Sequence, residues 1–344
     1  MRKIFLLIAM ACLLVSCVED LYPGALGPKK VLGLNADLRT TDSLHTVLLY
    51  YSKQTSTEAV EDASVSIFVN GELADMTSKA KMLKQDYAQY ELKAVLSEGD
   101  RVNIVAEKAG NRVEAEAEVL PRPTIVEVKH EFKREKDPLT ELSSAFVDLG
   151  VGMEDYSSEI SYYAIEVLLE KHCIRDDDGQ AMEDYYDRIH LDISKEPLLT
   201  ANFPSMFEIM SSSQYDLYSD FKYWTFTDTP FRGGSYSLSL RAPFTSEFYP
   251  HHVMVSTYGI AEQYTMTRTL EVRLSAVPRS VYTTYTSAYF DRSELSSLFI
   301  FNSDYGYPSN VRGGTGLVNV WSSAVERIDL GVCHYDMDTG DFDP

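Results

Sequence analysis

The sequence predicts a mainly β fold: an N-terminal immunoglobulin-like β-sandwich followed by a larger β-rich sandwich domain with one or two short helices. Three observations carry that expectation. Short strand-like runs succeed one another at regular spacing over residues 31–120. Turn dipeptides separate them, foremost Asn70-Gly71, whose two residues both accept the positive φ of a tight hairpin turn. Aromatic residues are abundant, with 23 Tyr, while Gly and Pro are modest, as in a chain that folds.

Taken in order, "VLGLNADL" (31–38), "HTVLLYYS" (45–52) and "ASVSIFVNGELADM" (63–76) open the first sandwich, expected over residues 31–121. "DYAQYELKAVL" and "DRVNIVAEKAGNRVEAEAEVL" continue it, with turns at Gly99-Asp100 and Gly110-Asn111. In the last run Val113, Ala115, Ala117 and Val119 alternate with Glu114, Glu116 and Glu118, a period of two that buries one face. "LPRPT" (120–124) breaks the pattern and marks a boundary; residues 122–344 form the larger domain. Its strands are read from "IVEVKHEF", "SYYAIEVLLEK", "SYSLSLRA", "HHVMVSTYGI" and "TRTLEVRLSAV". A helix is expected over Pro278–Phe290, where Val281, Tyr282, Tyr285 and Tyr289 recur at helical spacing and proline suits the first turn. A second short helix is expected in "AMEDYYDRIH" (181–190).

Ahead of these elements, Arg2 and Lys3 precede an apolar run, Ile4 to Leu14, about half the length a spanning helix needs. Leu14-Val15-Ser16-Cys17 then resembles a lipobox, in which the cysteine is acylated and becomes the first mature residue. Residues 1–16 are thus expected to be a lipoprotein signal peptide and 17–30 a lipidated tether. Several acyl chains on Cys17 would anchor stably, at about 0.8 kcal/mol per buried methylene. Glu19 and Asp20 resemble the acidic signal that sends Bacteroidetes lipoproteins to the cell surface. The expected location is the outer membrane, facing outward.

The full chain carries a formal charge of −21; without Arg2 and Lys3, 29 basic side chains face 52 acidic ones. Such a surface repels nucleic-acid phosphates, and also anionic head groups, so the lipid is expected to be the membrane contact. Of four cysteines, Cys12 leaves with the leader and Cys17 carries lipid. Cys173 and Cys333 remain, either disulfide-bonded or as separate thiols.

No nucleophile–base pattern, phosphate loop or cofactor motif is present in the sequence. Asp336, Asp338, Asp341 and Asp343 could offer Ca²⁺ oxygens, but their spacing departs from a calcium loop and a solvated tail fits better. Asp176–Asp178 read as a solvated turn. His172-Cys173 and Cys333-His334 could hold a transition metal only if their segments met, and His251-His252 face opposite sides of a strand. No metal site is assigned. The candidate binding surface is aromatic: Tyr215, Tyr218, Phe221, Tyr223, Trp224, Phe226 and Phe231, interleaved with Asp216, Asp220 and Asp228. Rings beside carboxylates suit a glycan, a peptide or a receptor rim, but most of these rings fit the core of a tyrosine-rich sandwich better. Tyr305 and Tyr307 form a second such patch. Gly233, Gly234, Gly313, Gly314 and Gly316 are read as serving tight turns and close backbone approach.

"SYYAIEV" (161–167), "FTDTPFRGGSYSLSL" (226–240) and the run from "SVYTTYTSAYF" to "SNVRGGTGLVNV" (309–320) are together similar to a known family. It is the Bacteroidetes lipoprotein family catalogued as domain of unknown function 4249. The resemblance implies a two-part, β-rich, non-catalytic surface lipoprotein, encoded beside TonB-dependent receptors and accessory to nutrient uptake. The alternative expectation is a structural or adhesive surface protein that binds host or matrix polymers without transport.

Overall fold

The computed structural model describes residues 30–53, 56–136, 143–175, 185–189, 191–201, 223–243, 264–290, 309–335 and 342–343. The first sandwich opens with β1 (Val31–Arg39), β2 (Leu44–Lys53), β3 (Ser56–Ala59), β4 (Ser64–Val69) and β5 (Glu72–Thr77). It continues with β6 (Met82–Leu83), β7 (Ala88–Lys93), β8 (Arg101–Lys108) and β9 (Asn111–Glu118). The β4–β5 hairpin turns at Asn70 and Gly71, with φ of 54° and 84°, as the sequence predicts. The β8–β9 hairpin turns one residue earlier than expected, at Ala109 and Gly110, because Lys108 pairs Asn111. Val113, Ala115 and Val119 are buried and Ala117 packs beside them, so the period-two reading of β9 holds.

The larger region contains β10 (Thr124–Lys136), β11 (Ser143–Glu154), β12 (Tyr162–Arg175), β13 (Tyr185–Arg188), a one-turn helix α1 (Pro197–Thr200) and β14 (Trp224–Thr227). Then come β15 (Ser235–Pro243), β16 (Tyr264–Ala276), helix α2 (Arg279–Phe290), β17 (Val311–Arg312), β18 (Val318–Tyr335) and β19 (Phe342–Asp343). Helix α2 begins one residue after Pro278, whose carbonyl accepts from the Tyr282 N–H at 3.1 Å. The short helix expected in residues 181–190 is corrected: Tyr185–Arg188 form a strand paired with β12. Its Glu170–Tyr186 register supplies backbone partners that an isolated helical turn would lack. The expected strand at 251–260 lies outside the described residues.

Among the described residues three sheets make two sandwiches. β17-β9-β8-β4-β5 faces one half of a large sheet, and β10-β11-β15 faces the other half. The large sheet runs β13-β12-β16-β18-β1-β2-β7-β6, so the two halves are continuous. The joint is β18. Its first residues, Val318–Trp321, pair in parallel with Ala36–Arg39 of β1, while Ser322–Cys333 pair antiparallel with β16. Val311, Val318 and Val320 therefore lie in the first core. The first sandwich is not completed by residues 31–121; β17 and the start of β18 close it. Gly314 and Gly316 permit this approach: a Cβ on either would stand 2.2 Å from a β1 carbonyl, of Leu32 and Leu34 respectively. Gly316 also has φ of +119°, which L side chains rarely adopt.

Register also decides between the two readings of the cysteines. Met266 of β16 pairs with Cys173 on one side and with Cys333 on the other. Two strand spacings put their Cα atoms about 9.5 Å apart, beyond the reach of a disulfide.

Candidate functional site

A cavity of about 630 Å³ opens where the two sandwiches meet. Its walls are the proline-bounded connection 120–124, the β11–β12 loop 154–163, and residues 276–279 at the start of α2. The two prolines fix φ in a connection that must pass between layers without strand partners. The walls mix chemistry. Tyr156 is 78 % exposed and Ile160 is 47 % exposed. Glu154, Glu159, Arg122 and Arg279 add charge of both signs. The Tyr156 hydroxyl donates to Glu154, and Tyr162 stacks at a tilt on Tyr282 of α2, ring centres 5.0 Å apart. An aromatic ring beside carboxylates and guanidinium groups suits an amphipathic ligand such as a sugar or a peptide.

Beneath the cavity sits a carboxyl pair. Asp155 is buried on the cavity wall; Asp228, from the turn after β14, is 0 % exposed behind it. The Asp155 Oδ1 accepts from the Ser157 N–H and the Tyr163 hydroxyl, both at 3.1 Å, and its Oδ2 accepts from the Gly233 N–H at 3.0 Å. Burial alone would push the Asp155 carboxyl up, but these donors outweigh it and hold the group below the usual carboxylate range. Asp228 shifts the other way. Burial, then the Asp155 carboxyl, raises it, and the Ser161 backbone N–H and the Arg232 guanidinium at 3.8 Å only partly offset them. Asp228 thus holds a proton more readily than an ordinary carboxyl does, and its titration is tied to that of Asp155. All of Asp155's donors come from the loop and turn that it ties together, so its role here is to hold the cavity floor.

Most sequence-predicted site residues fall in segments that the structure does not describe. Cys17, Tyr215, Tyr218, Phe221, Asp216, Asp220, Tyr305 and Tyr307 are outside the described residues, as are Asp176–Asp178, His251-His252, Asp336, Asp338 and Asp341. Tyr223 and Trp224 are described, and both are buried, not exposed as a contact ring requires. Trp224, 2 % exposed, packs in the second core with Ile165, Leu199 and Phe226. Tyr223 faces the opposite side of the sheet. Its ring lies 4.8 Å from that of Trp321, and the guanidinium groups of Arg39 and Arg188 stand over it at 5.6 and 4.8 Å. Its hydroxyl accepts from Arg39 at 3.1 Å and from Arg188 at 3.3 Å. The Glu166 carboxylate binds both arginines, Arg39 at 2.6 Å and Arg188 through two bonds of 3.0 and 3.1 Å. Arg39 comes from β1 and Glu166 from β12, so this buried pair also bridges the two sandwiches. The physical reason for the burial is that β14 is covered on both faces, which turns an aromatic run into core.

Sequence reading missed Asp155 and the cavity. In "MEDYSSE" the aspartate looks like a solvated loop acid, and its donors Tyr163 and Gly233 are distant in sequence. A trace existed: Tyr163 and Gly233 both lie within the segments that carry the family resemblance. Among the described residues no group of three or more His, Cys, Asp or Glu is placed to hold a metal ion. No protein-family model matches the chain, and no curated protein matches it.

Proposed function

We propose that this chain is an outer-membrane lipoprotein, displayed at the cell surface, that captures a glycan or peptide ligand for a TonB-dependent transporter without transforming it. The observation that carries the location is "LLVSCVED": a lipobox cysteine, Cys17, followed after one residue by Glu19 and Asp20. The amphipathic cavity above Asp155 supports the capture role, since its buried carboxyl is already committed to backbone and tyrosine donors. The resemblance to the family catalogued as domain of unknown function 4249 supports the link to a TonB-dependent receptor.

Cys17→Ala separates the parts of this reading. The acyl chains are the anchor, so the variant is expected in the soluble or unprocessed fraction after carbonate washing, while wild type stays with the outer membrane. Mild detergent extraction of wild type is expected to bring a β-barrel receptor with it. Unchanged fractionation of the variant would sink the lipoprotein reading, and extraction without a receptor would leave the adhesive alternative.

A further inference from the structure

The face of the shared sheet turned away from the first core holds another cavity, of about 280 Å³. Strand alternation builds its floor. Ala36, Val47, Leu49, Ala88 and Val318 lie in the first core, so their neighbours along β1, β2, β7 and β18 face the other way. In register, Asn319, Asp37 and Thr46 form one row across the sheet, and Asn35, Leu48 and Gln89 form part of the next. Two strand spacings by two residues make a floor of about 10 Å by 7 Å. Tyr87 and Tyr285 of α2 add rings to the walls. The floor is polar and yet sheltered, with Asn35 and Asn319 only 6 % and 4 % exposed. Asn35 is committed to the fold, since its Oδ1 accepts from the Leu317 N–H at 2.9 Å. Asp37 is held but not used up. Its Oδ1 accepts from the Asn319 Nδ2 at 2.7 Å and from the Trp321 indole N–H at 3.2 Å. Tying β1 to β18 accounts for those two bonds and leaves Oδ2 to a ligand. The Asn319 Oδ1 is buried and receives no donor, although acceptors buried in a native fold are nearly always paired.

We infer that this cavity binds one neutral sugar residue, held by the Asp37 carboxylate, the Asn319 and Gln89 amides and the Thr46 hydroxyl. A carboxylate oxygen can accept from two adjacent hydroxyls, and a carboxamide both donates and accepts, as every sugar hydroxyl does. Leu48, Tyr87 and Tyr285 supply the apolar and ring surface on which the C–H face of a sugar packs. The volume lies just below the usual range of small-molecule sites, about 300–1,000 Å³, so it suits a single ring. Among the described lining residues Asp37 alone is charged, and it repels an anionic ligand. An extended peptide fits less well. The floor strands β18, β1, β2 and β7 already pair with one another and offer it no free edge. No described residue is shared with the cavity above Asp155, so this site adds to the capture reading without resting on it.

The chain has two tryptophans, and the Trp321 indole N–H is bonded to Asp37, so its ¹⁵N–¹H signal reports on the cavity. The test titrates the whole chain, in a detergent without a sugar head group, with the methyl glycosides of glucose, galactose, mannose and N-acetylglucosamine. At least one is expected to shift that signal saturably at millimolar concentration, while glucuronate and a blocked dialanine leave it in place. Thr46→Val/Gln89→Leu and Asp37→Asn should each weaken the affinity roughly tenfold or more, because hydrogen bonds to the ligand are lost. Thr46 is exposed and Gln89 half-buried, so an unchanged melting temperature of the double variant shows that the fold is kept. No saturable shift with any of the glycosides, a shift with the dialanine instead, or equal affinity in wild type and the double variant overturns the inference. In the last case the sugar sits at another site, such as the cavity above Asp155, and the capture reading stands.

Discussion

Asp155 and Asp228 are chemically identical and electrostatically opposite, because three donors converge on Asp155 while burial and the Asp155 charge dominate at Asp228. The Gly233, Ser157 and Tyr163 groups stabilise charge on Asp155; Asp228 meets that charge from a fully buried position. The consequence for stability has a definite sign. Asp155, lowered on folding, contributes stability above the ordinary carboxylate range that is lost as pH falls through its folded value. Asp228, raised on folding, contributes stability below that range that is lost as pH rises through its own folded value. In Asp228→Asn the amide can still donate to Asp155 but cannot ionise. Wild type should therefore lose stability relative to Asp228→Asn as pH climbs from about 4 toward neutrality. Denaturation midpoints of both proteins across that interval measure it, and parallel pH profiles would mean that no proton is shared. The same pair shows why this site was hard to read in the sequence. Each aspartate taken alone is an ordinary loop acid, and only the fold supplies the burial and the neighbour that change its chemistry.

Among the elements, β9 and β14 mark the limits of local patterning. One face of β9 is wet, so alternation exposes its core face in the sequence itself. β14 is covered on both sides, by the second core at Trp224 and by the arginine cluster at Tyr223, so no period survives to separate core from surface. Helix α2 was readable because its apolar stripe, Val281 and Tyr285, packs against Ala164, Tyr223 and Trp321 on a single face. The "RGGTG" segment serves close approach, as its glycines predict, and the strand it approaches, β1, is far away in sequence. Gly314 brings β17–β18 against the backbone of β1, where the Thr315 N–H bonds to the Leu32 carbonyl at 3.1 Å and the Leu34 N–H to the Thr315 carbonyl at 2.9 Å. Gly314→Ala puts a methyl 2.2 Å from the Leu32 oxygen and 2.5 Å from Val113. Backbone must move to relieve this, at a cost of about 1–3 kcal/mol or more. The expected outcome is a lower urea midpoint with an unchanged slope; a neutral effect would show that β1 and β18 are not held this tightly.

The molecule as a whole is two sandwiches that share one sheet, a property no local pattern contains, since β1 and β18 come from opposite ends of the chain. Among the described residues no helix is long and apolar enough to cross a membrane. Among the described residues the two cores are joined by the parallel β1–β18 pairing and by the buried contacts of Arg39 with Glu166 and Tyr223. Losing the first sandwich would strip β18 of β1 on one edge and take from the buried Glu166 its 2.6 Å partner Arg39, leaving it Arg188. Weakened pairing of a buried charge and an exposed central strand edge are both costly. The two halves should therefore unfold together. Leu34→Ala tests this, because Leu34 is fully buried in the first core and its loss should cost about 2–5 kcal/mol. Hydrogen exchange followed peptide by peptide is the suitable measurement. Cooperative unfolding predicts that protection falls by the same factor in β4 and β8 of the first sandwich and in β12 and β16 of the second. If β12 and β16 kept their wild-type protection while β4 and β8 exchanged, β18 would be a hinge between independent domains, and the cavity at their junction would change shape whenever the first sandwich opened.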